Sequence, residues 1–102
     1  MSLPLIVLDC ARDDLEQAIA RYEQRVPGLG ESLYWHVEET LDYIESNPRS
    51  YQVDFGIIRR APTHRFPFSV YYRVLPDLVE VLAILHCRTD PSTVRSQLKS
   101  RH

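Results

Sequence analysis

No stretch of this 102-residue chain approaches the roughly 20 consecutive apolar residues that a membrane span requires. The N-terminal apolar run covers only residues 3–8, with no basic flank before it and no small-residue cleavage site after it, so the chain is expected in the cytoplasm, with no membrane partner. Cysteine is scarce as well. Cys10 and Cys87 form no CxxC pair, and two thiols in a chain without an export signal read as small buried apolar groups rather than as a disulfide or a zinc site. Nothing in the pattern asks for a metal or a cofactor. Internal repeats and low-complexity segments are missing too. At 44% hydrophobic residues the chain can bury one modest core but not two, which predicts a single domain over residues 1–102.

The C-terminal half is short of acid. Residues 1–50 hold ten acids against four bases, a net charge of −6, whereas residues 51–102 hold four acids against eight bases, a net charge of +4. The overall −2 conceals this asymmetry. A basic half rich in arginine suits an anionic partner, either nucleic acid or an acidic protein segment, because the planar guanidinium fork matches phosphate and carboxylate alike.

The pattern then divides the chain into elements. Residues 4–9 form a short β-rich run. From Ala11, the residues Leu15, Ala18, Ile19, Tyr22 and Val26 fall on one helical face, with Asp13, Asp14 and Glu16 in the first turn, where carboxylates favour the helix dipole. Pro27-Gly28 ends that helix. A second helix carries Tyr34, Val37, Leu41 and Ile44 on one face and stops at Asn47-Pro48, so the two should form an antiparallel hairpin. Tyr34 and Trp35 are expected as core and helix-edge residues; an exposed Trp35 would instead mark a partner surface.

Residues 49–56 read as turn, 57–61 as a strand, and 62–67 as a loop. Residues 68–75 and 78–86 then make a hairpin about Pro76-Asp77. With Leu75 opposite Leu78, one face carries Phe68, Val70, Tyr72 and Val74 against Leu85, Ala83, Val81 and Val79. The other, mixed face carries Ser69, Tyr71 and Arg73 against Ile84, Leu82 and Glu80, with His86 at its edge and one of Arg59 and Arg60 beside it. The apolar face should pack on the helices and the mixed face is free to bind. Arg73 and Glu80 should neutralise one another, an interaction worth about 0.2–1 kcal/mol. After Arg88, Asp90 is a plausible N-cap and Pro91 a first helical residue, but with Val94 and Leu98 as its only apolar anchors the segment to His102 is expected as a loosely docked or mobile tail. The fold class is therefore α+β: an N-terminal strand, a helix hairpin, a three-stranded antiparallel meander, and a short C-terminal helix or tail.

That order resembles the RelE/ParE toxin superfamily of type II toxin–antitoxin systems, and four stretches carry the resemblance. They are Asp14-Leu15-Glu16-Gln17-Ala18 with Tyr22-Glu23; Pro27-Gly28-Leu29-Gly30; Arg59-Arg60 with the run from Arg65 through Val74; and the run from Val81 through Pro91. The resemblance implies a toxin neutralised by a cognate antitoxin that wraps it. It also frames two targets: members of the RelE type cut messenger RNA on the ribosome, and those of the ParE type are associated with inhibition of DNA gyrase.

The two types need different residues. Cleavage by an RNA 2′-hydroxyl needs a proton acceptor, a cation for the phosphorane and an acid for the leaving oxygen. Where the RelE pattern has an arginine before the third-strand tyrosine, this chain has Ser69. Where it has a tyrosine after the last strand, this chain has Val94. Arg88 alone matches a nuclease arginine. His86 is the acid/base candidate if the protein is a nuclease, although a histidine at a strand end more commonly anchors the following turn. The candidates for binding target or antitoxin are Arg59, Arg60, Arg65, Tyr71, His86 and Arg88, while His64 has no evident partner. The leading expectation is a non-enzymatic, ParE-like gyrase inhibitor. A ribosome-dependent ribonuclease and a toxin-fold binding module without toxicity are the alternatives.

Overall fold

The computed structural model describes residues 3–101 and contains eight elements: β1 (Leu5–Val7), α1 (Asp9–Arg25), α2 (Leu29–Ser46), β2 (Val53–Phe55), β3 (Ile58–Pro62), β4 (Phe68–Val74), β5 (Val79–His86) and α3 (Pro91–Ser100). The strands form one sheet in the order β1-β5-β4-β3-β2. β1 joins β5 in parallel and the other pairs are antiparallel. The meander expected from the sequence is its centre. Part of the segment read as turn is the additional edge strand β2, joined to β3 across Gly56, which takes a positive φ of 58° that favours glycine. Among the described residues, no helix is long and apolar enough to cross a membrane.

The α1–α2 hairpin covers one sheet face, and its tight turn has a specific cause. Glu23, near the end of α1, accepts the Gly28 and Gly30 N–H groups at 2.8 and 2.9 Å, so its carboxylate satisfies donors that the start of α2 would leave open. Gly30 sits where the helices meet: a Cβ there would lie 2.7 Å from the Ile19 carbonyl oxygen and 3.0 Å from the Glu23 side chain. Ala11, Leu15 and Ala18 of α1 and Leu33, Val37, Leu41 and Ile44 of α2 then pack on Ala61, Phe68, Val70, Tyr72, Val79, Val81 and Ile84 of the sheet. The buried Tyr72 satisfies its hydroxyl by donating to the Pro48 carbonyl at 2.7 Å.

The β4–β5 register follows the expected pairing only near the turn. Val74↔Val79, Arg73↔Glu80 and Tyr72↔Val81 are opposed as anticipated, but the next pair is Tyr71↔Ala83, so Leu82 is an extra residue in a bulge. One inserted residue exchanges the faces of everything beyond it. Ile84, expected on the mixed face, lies in the core beneath the helices, while Ala83 and Leu85 join the opposite side. The Arg73–Glu80 pair falls before the bulge and forms as expected, with Nε–Oε1 at 2.8 Å.

The second face is where the structure differs most from expectation. α3 is docked rather than loose. Val94 and Leu98 are 4% and 0% exposed and pack with Ile58, Tyr71, Leu82 and Ala83 as a second core. Asp90 caps the helix by accepting the Ser92 N–H, and Pro91 is its first residue. At the other end, Arg101 donates to both oxygens of Asp14 at 2.6 and 3.0 Å and to the Leu82 carbonyl at 3.1 Å. Arg95 lies over the Phe55 ring at 5.5 Å and ties α3 to β2. Two apolar anchors proved sufficient because a cap, a cation–π contact and a bidentate ion pair reinforce them. His102 lies outside the described residues.

Two predictions concern these joints. Arg101→Ala should lower unfolding stability by about 1.5–3 kcal/mol, because it removes charge-assisted bonds from a largely buried carboxylate and leaves the Leu82 carbonyl only the weak Cys10 thiol donor, and the loss should appear in chemical denaturation. Gly30→Ala should lower it by about 1–3 kcal/mol, since the Cβ would meet backbone, which cannot rotate away; an unchanged midpoint would mean that the helices separate freely.

Candidate functional site

Adjacent residues of a strand point to opposite faces, and this separates the two arginines of β3. Arg59 pairs with Tyr72 of the helix-covered side, and its guanidinium donates to the Tyr51 carbonyl at 2.6 Å and the Arg49 carbonyl at 3.3 Å. It therefore fastens the segment that leads into β2. Arg60 pairs with Tyr71 on the α3 side and stays exposed, as the expectation of one arginine beside the mixed face required.

Around Arg60 and Tyr71 lies a cavity of about 240 Å³, walled also by Asp54 of β2, Cys87 and Thr89 of the β5–α3 connection, and Arg95 of α3. Two guanidinium groups, one carboxylate, a phenol and a threonine hydroxyl line it. Burial pushes the Tyr71 hydroxyl's ionisation upward; Arg60 opposes this and Asp54 reinforces it. Tyr71 thus presents a neutral hydroxyl beside two cations, suited to donate to an anionic oxygen. With only 6% of its surface accessible, its ring cannot serve as a stacking platform.

His86 is not part of this cluster. It lines a separate hollow with Asp14, Arg21, Gln97 and Arg101, and Thr89 alone borders both. Its Nδ1 accepts the Arg88 backbone N–H at 3.0 Å and its carbonyl accepts the Thr89 N–H at 2.9 Å, so His86 anchors the turn after β5. The same bond leaves the ring proton on Nε2. Arg88 is exposed on that turn. Arg65 is exposed in the β3–β4 loop with φ at 68°, held by a Phe66 N–H to His64 carbonyl bond of 2.8 Å. The six residues named from the sequence are thus spread over both faces and a loop; the Arg60 and Tyr71 side chains share the cavity, and His86 meets Arg88 through its backbone N–H.

The two nuclease positions are filled by packing. Ser69 is 1% exposed with Oγ 3.8 Å from Cys87 Sγ, and Val94 belongs to the second core. Cys87 itself is exposed and Cys10 half-buried, which corrects the expectation that both thiols are buried; both are free. Another correction concerns α2: Trp35 is 60% exposed, directly opposite the core side, with the Tyr34 ring edge-on at 5.0 Å. The sequence reasoning missed Asp54 because β2 was read as turn. It missed Arg95 because α3 was read as a tail, although the Asp90-Pro91 cap and the four-residue spacing of Val94 and Leu98 already marked a docked helix.

Known proteins share this sequence and fold. The family described as "ParE toxin of type II toxin-antitoxin system, parDE" matches residues 5–91. The chain is 26% identical over 102 residues to Toxin ParE2 of Mycobacterium tuberculosis, in strains CDC 1551 / Oshkosh and ATCC 25618 / H37Rv, with 99% of this chain and 97% of the relative covered. A solved structure described as the chromosomal ParDE TA system from P. aeruginosa has the same fold, with a TM-score of 0.75 at 18% identity over 82% of this chain and 95% of that one. Since the family match takes in everything from β1 to the start of α3, this protein belongs to the ParE toxins of type II toxin–antitoxin systems.

Proposed function

We propose that this toxin acts in the cytoplasm by binding DNA gyrase and inhibiting it, without cleaving RNA, and that a cognate antitoxin neutralises it. The observation that carries the reading is the state of the two positions where a ribonuclease of this fold has its arginine and tyrosine. Ser69 and Val94 lie inside packed regions, and the acid/base candidate His86 spends Nδ1 on the Arg88 N–H. Cation, base and acid do not converge on one point, as cleavage of a phosphodiester requires. Arg60 and Arg95 beside the Tyr71 hydroxyl do form a compact group for holding an anionic partner surface. On the opposite side of the molecule, the exposed Tyr34–Trp35 pair offers the kind of aromatic anchor that protein interfaces favour, and it is the surface assigned here to the antitoxin.

Plasmid supercoiling by purified gyrase, measured beside mRNA cleavage on ribosomes, separates the readings. The expected outcome is inhibited supercoiling with intact mRNA, an inhibition weakened about tenfold or more by Arg60→Ala and changed less than twofold by His86→Ala. Cleaved mRNA, lost in His86→Ala, would establish the ribonuclease instead. Activity in neither assay, and no growth defect on induction alone, would leave a binding module. For the antitoxin, Trp35→Ala should weaken the complex by 2 kcal/mol or more, about 30-fold, measured by calorimetry with the product of the adjoining reading frame.

A further inference from the structure

A cavity of about 620 Å³ lies between the two surfaces just assigned: Glu39 is one helical turn beyond Trp35, and Ser50, Tyr51 and Pro62 also line a smaller hollow that contains Arg60. It opens between the C-terminal half of α2, the connection that follows it, and the end of β3 with its loop. Its walls include Glu39, Tyr43, Tyr51, Thr63 and His64. Three features define its chemistry. The Tyr43 and Tyr51 rings meet edge-on, with centroids 5.7 Å apart and planes at 78°, so together they form a corner of two aromatic faces. Tyr51 is backed by Tyr72, whose centroid is 6.4 Å away at 87°, and this fixes the inner wall. Glu39 stands at the mouth of the corner, exposed and without a hydrogen-bond or ion-pair partner among the described residues.

We propose that this corner is a cation-binding site that receives an arginine or lysine side chain from an extended segment of a protein partner. Ring faces carry the negative end of the aromatic quadrupole, so two faces at nearly a right angle with a free carboxylate alongside form a receptor for a guanidinium or ammonium group. Burial, and after it the neighbouring Tyr43, raise the Tyr51 hydroxyl's pKa above its ordinary value. The field has the same sign. Glu39 is the carboxylate in the wall, and α2, which carries Glu31, Glu38, Asp42 and Glu45 as well and no arginine or lysine, adds a negative field at longer range, Glu38 lining a separate hollow. His64 is the one basic side chain in the wall. The nearest arginine of β3, Arg59, is committed behind the wall to the Tyr51 and Arg49 carbonyls. An anionic peptide would meet the Glu39 carboxylate inside the wall, while the exposed Arg49 and Arg65 flank that wall in sequence.

The site does not depend on the toxin's target, and its test is independent of gyrase. The 15N-labelled protein is titrated with the blocked tripeptide Ala-Arg-Ala in 50 mM NaCl at pH 7.5, beside the same peptide carrying neutral citrulline and another carrying glutamate. Expected are saturable amide shifts confined to residues 39–43, 50–51 and 63–64, with a dissociation constant on the order of millimolar, as befits one side chain. The citrulline and glutamate peptides should leave those amides unmoved. Tyr43→Ala should weaken binding by about 3- to 20-fold and Glu39→Gln by about 2- to 5-fold, with the remaining spectrum unchanged as a check of folding. Raising NaCl to 500 mM should weaken it further. Equal shifts with citrulline, shifts with the glutamate peptide, no localised shifts up to 50 mM peptide, or full affinity in both variants would overturn the site.

Discussion

The structure depends on how one strand edge is finished. β5 lies between β4 and β1, but β1 is only three residues long and stops opposite Val81. Beyond that point β5 would present bare backbone groups beside the helices, where unpaired polar groups are costly. Asp14 and Arg101 take the place of the missing strand. Asp14 accepts the Ile84 N–H at 3.1 Å, and Arg101 donates to the Leu82 carbonyl while gripping both oxygens of Asp14. Cys10 adds a weak donor to the same carbonyl. One ion pair therefore joins α1, β5 and the end of α3, residues 87 positions apart in the chain. Because each group already bonds backbone, the pair is more than a charge contact. It is also what brings α3 down over the second face.

That docking explains which parts of the fold were legible. Helix hairpin, meander and cap follow from local signals: a 3.6-residue period, Pro-Gly and Asn-Pro stops, a Pro-Asp turn, and Asp90-Pro91. Each is settled within a few residues, so the sequence displays it. The bulge at Leu82 is different. Nothing in Val81-Leu82-Ala83-Ile84 marks an extra residue, since all four are apolar and either parity buries them. It takes two covered faces to make both parities acceptable, and the second cover is α3. Reading α3 as a tail and reading the hairpin as regular are thus a single error: once the outer face is taken to be solvent, alternation has to run unbroken.

The binding residues show the same dependence. Arg59 and Arg60 are indistinguishable as letters, yet the pleat sends one to backbone carbonyls and the other to an open cavity. Arg59 is held by the Arg49 and Tyr51 carbonyls ahead of β2, and Arg60 shares its cavity with Asp54 of β2 and Arg95 of α3, regions that the sequence reading took for turn and tail. Trp35 illustrates the converse. Its position was legible, because residues 33, 37, 40, 41 and 44 define the buried arc of α2 and Trp35 lies opposite them. What misled was residue type, since tryptophan is usually buried. Periodicity should outrank hydrophobicity when the two disagree, and an aromatic residue on the polar side of an amphipathic helix is then a sign of a partner.

The packing also bears on which side chains the fold can accept at positions 69 and 94. Val94 lies in the second core that α3 builds on the sheet, and Ser69 is sealed on β4 with Cys87 beside it. An arginine at 69 would bring a charge into a space where even a serine is 1% exposed, and a tyrosine at 94 would overfill a contact already closed by Leu82 and Ala83. Arg60 and Arg95 stand at the rim of the second core, around the hollow that Tyr71 also lines. A surface arranged in this way can hold an anionic partner.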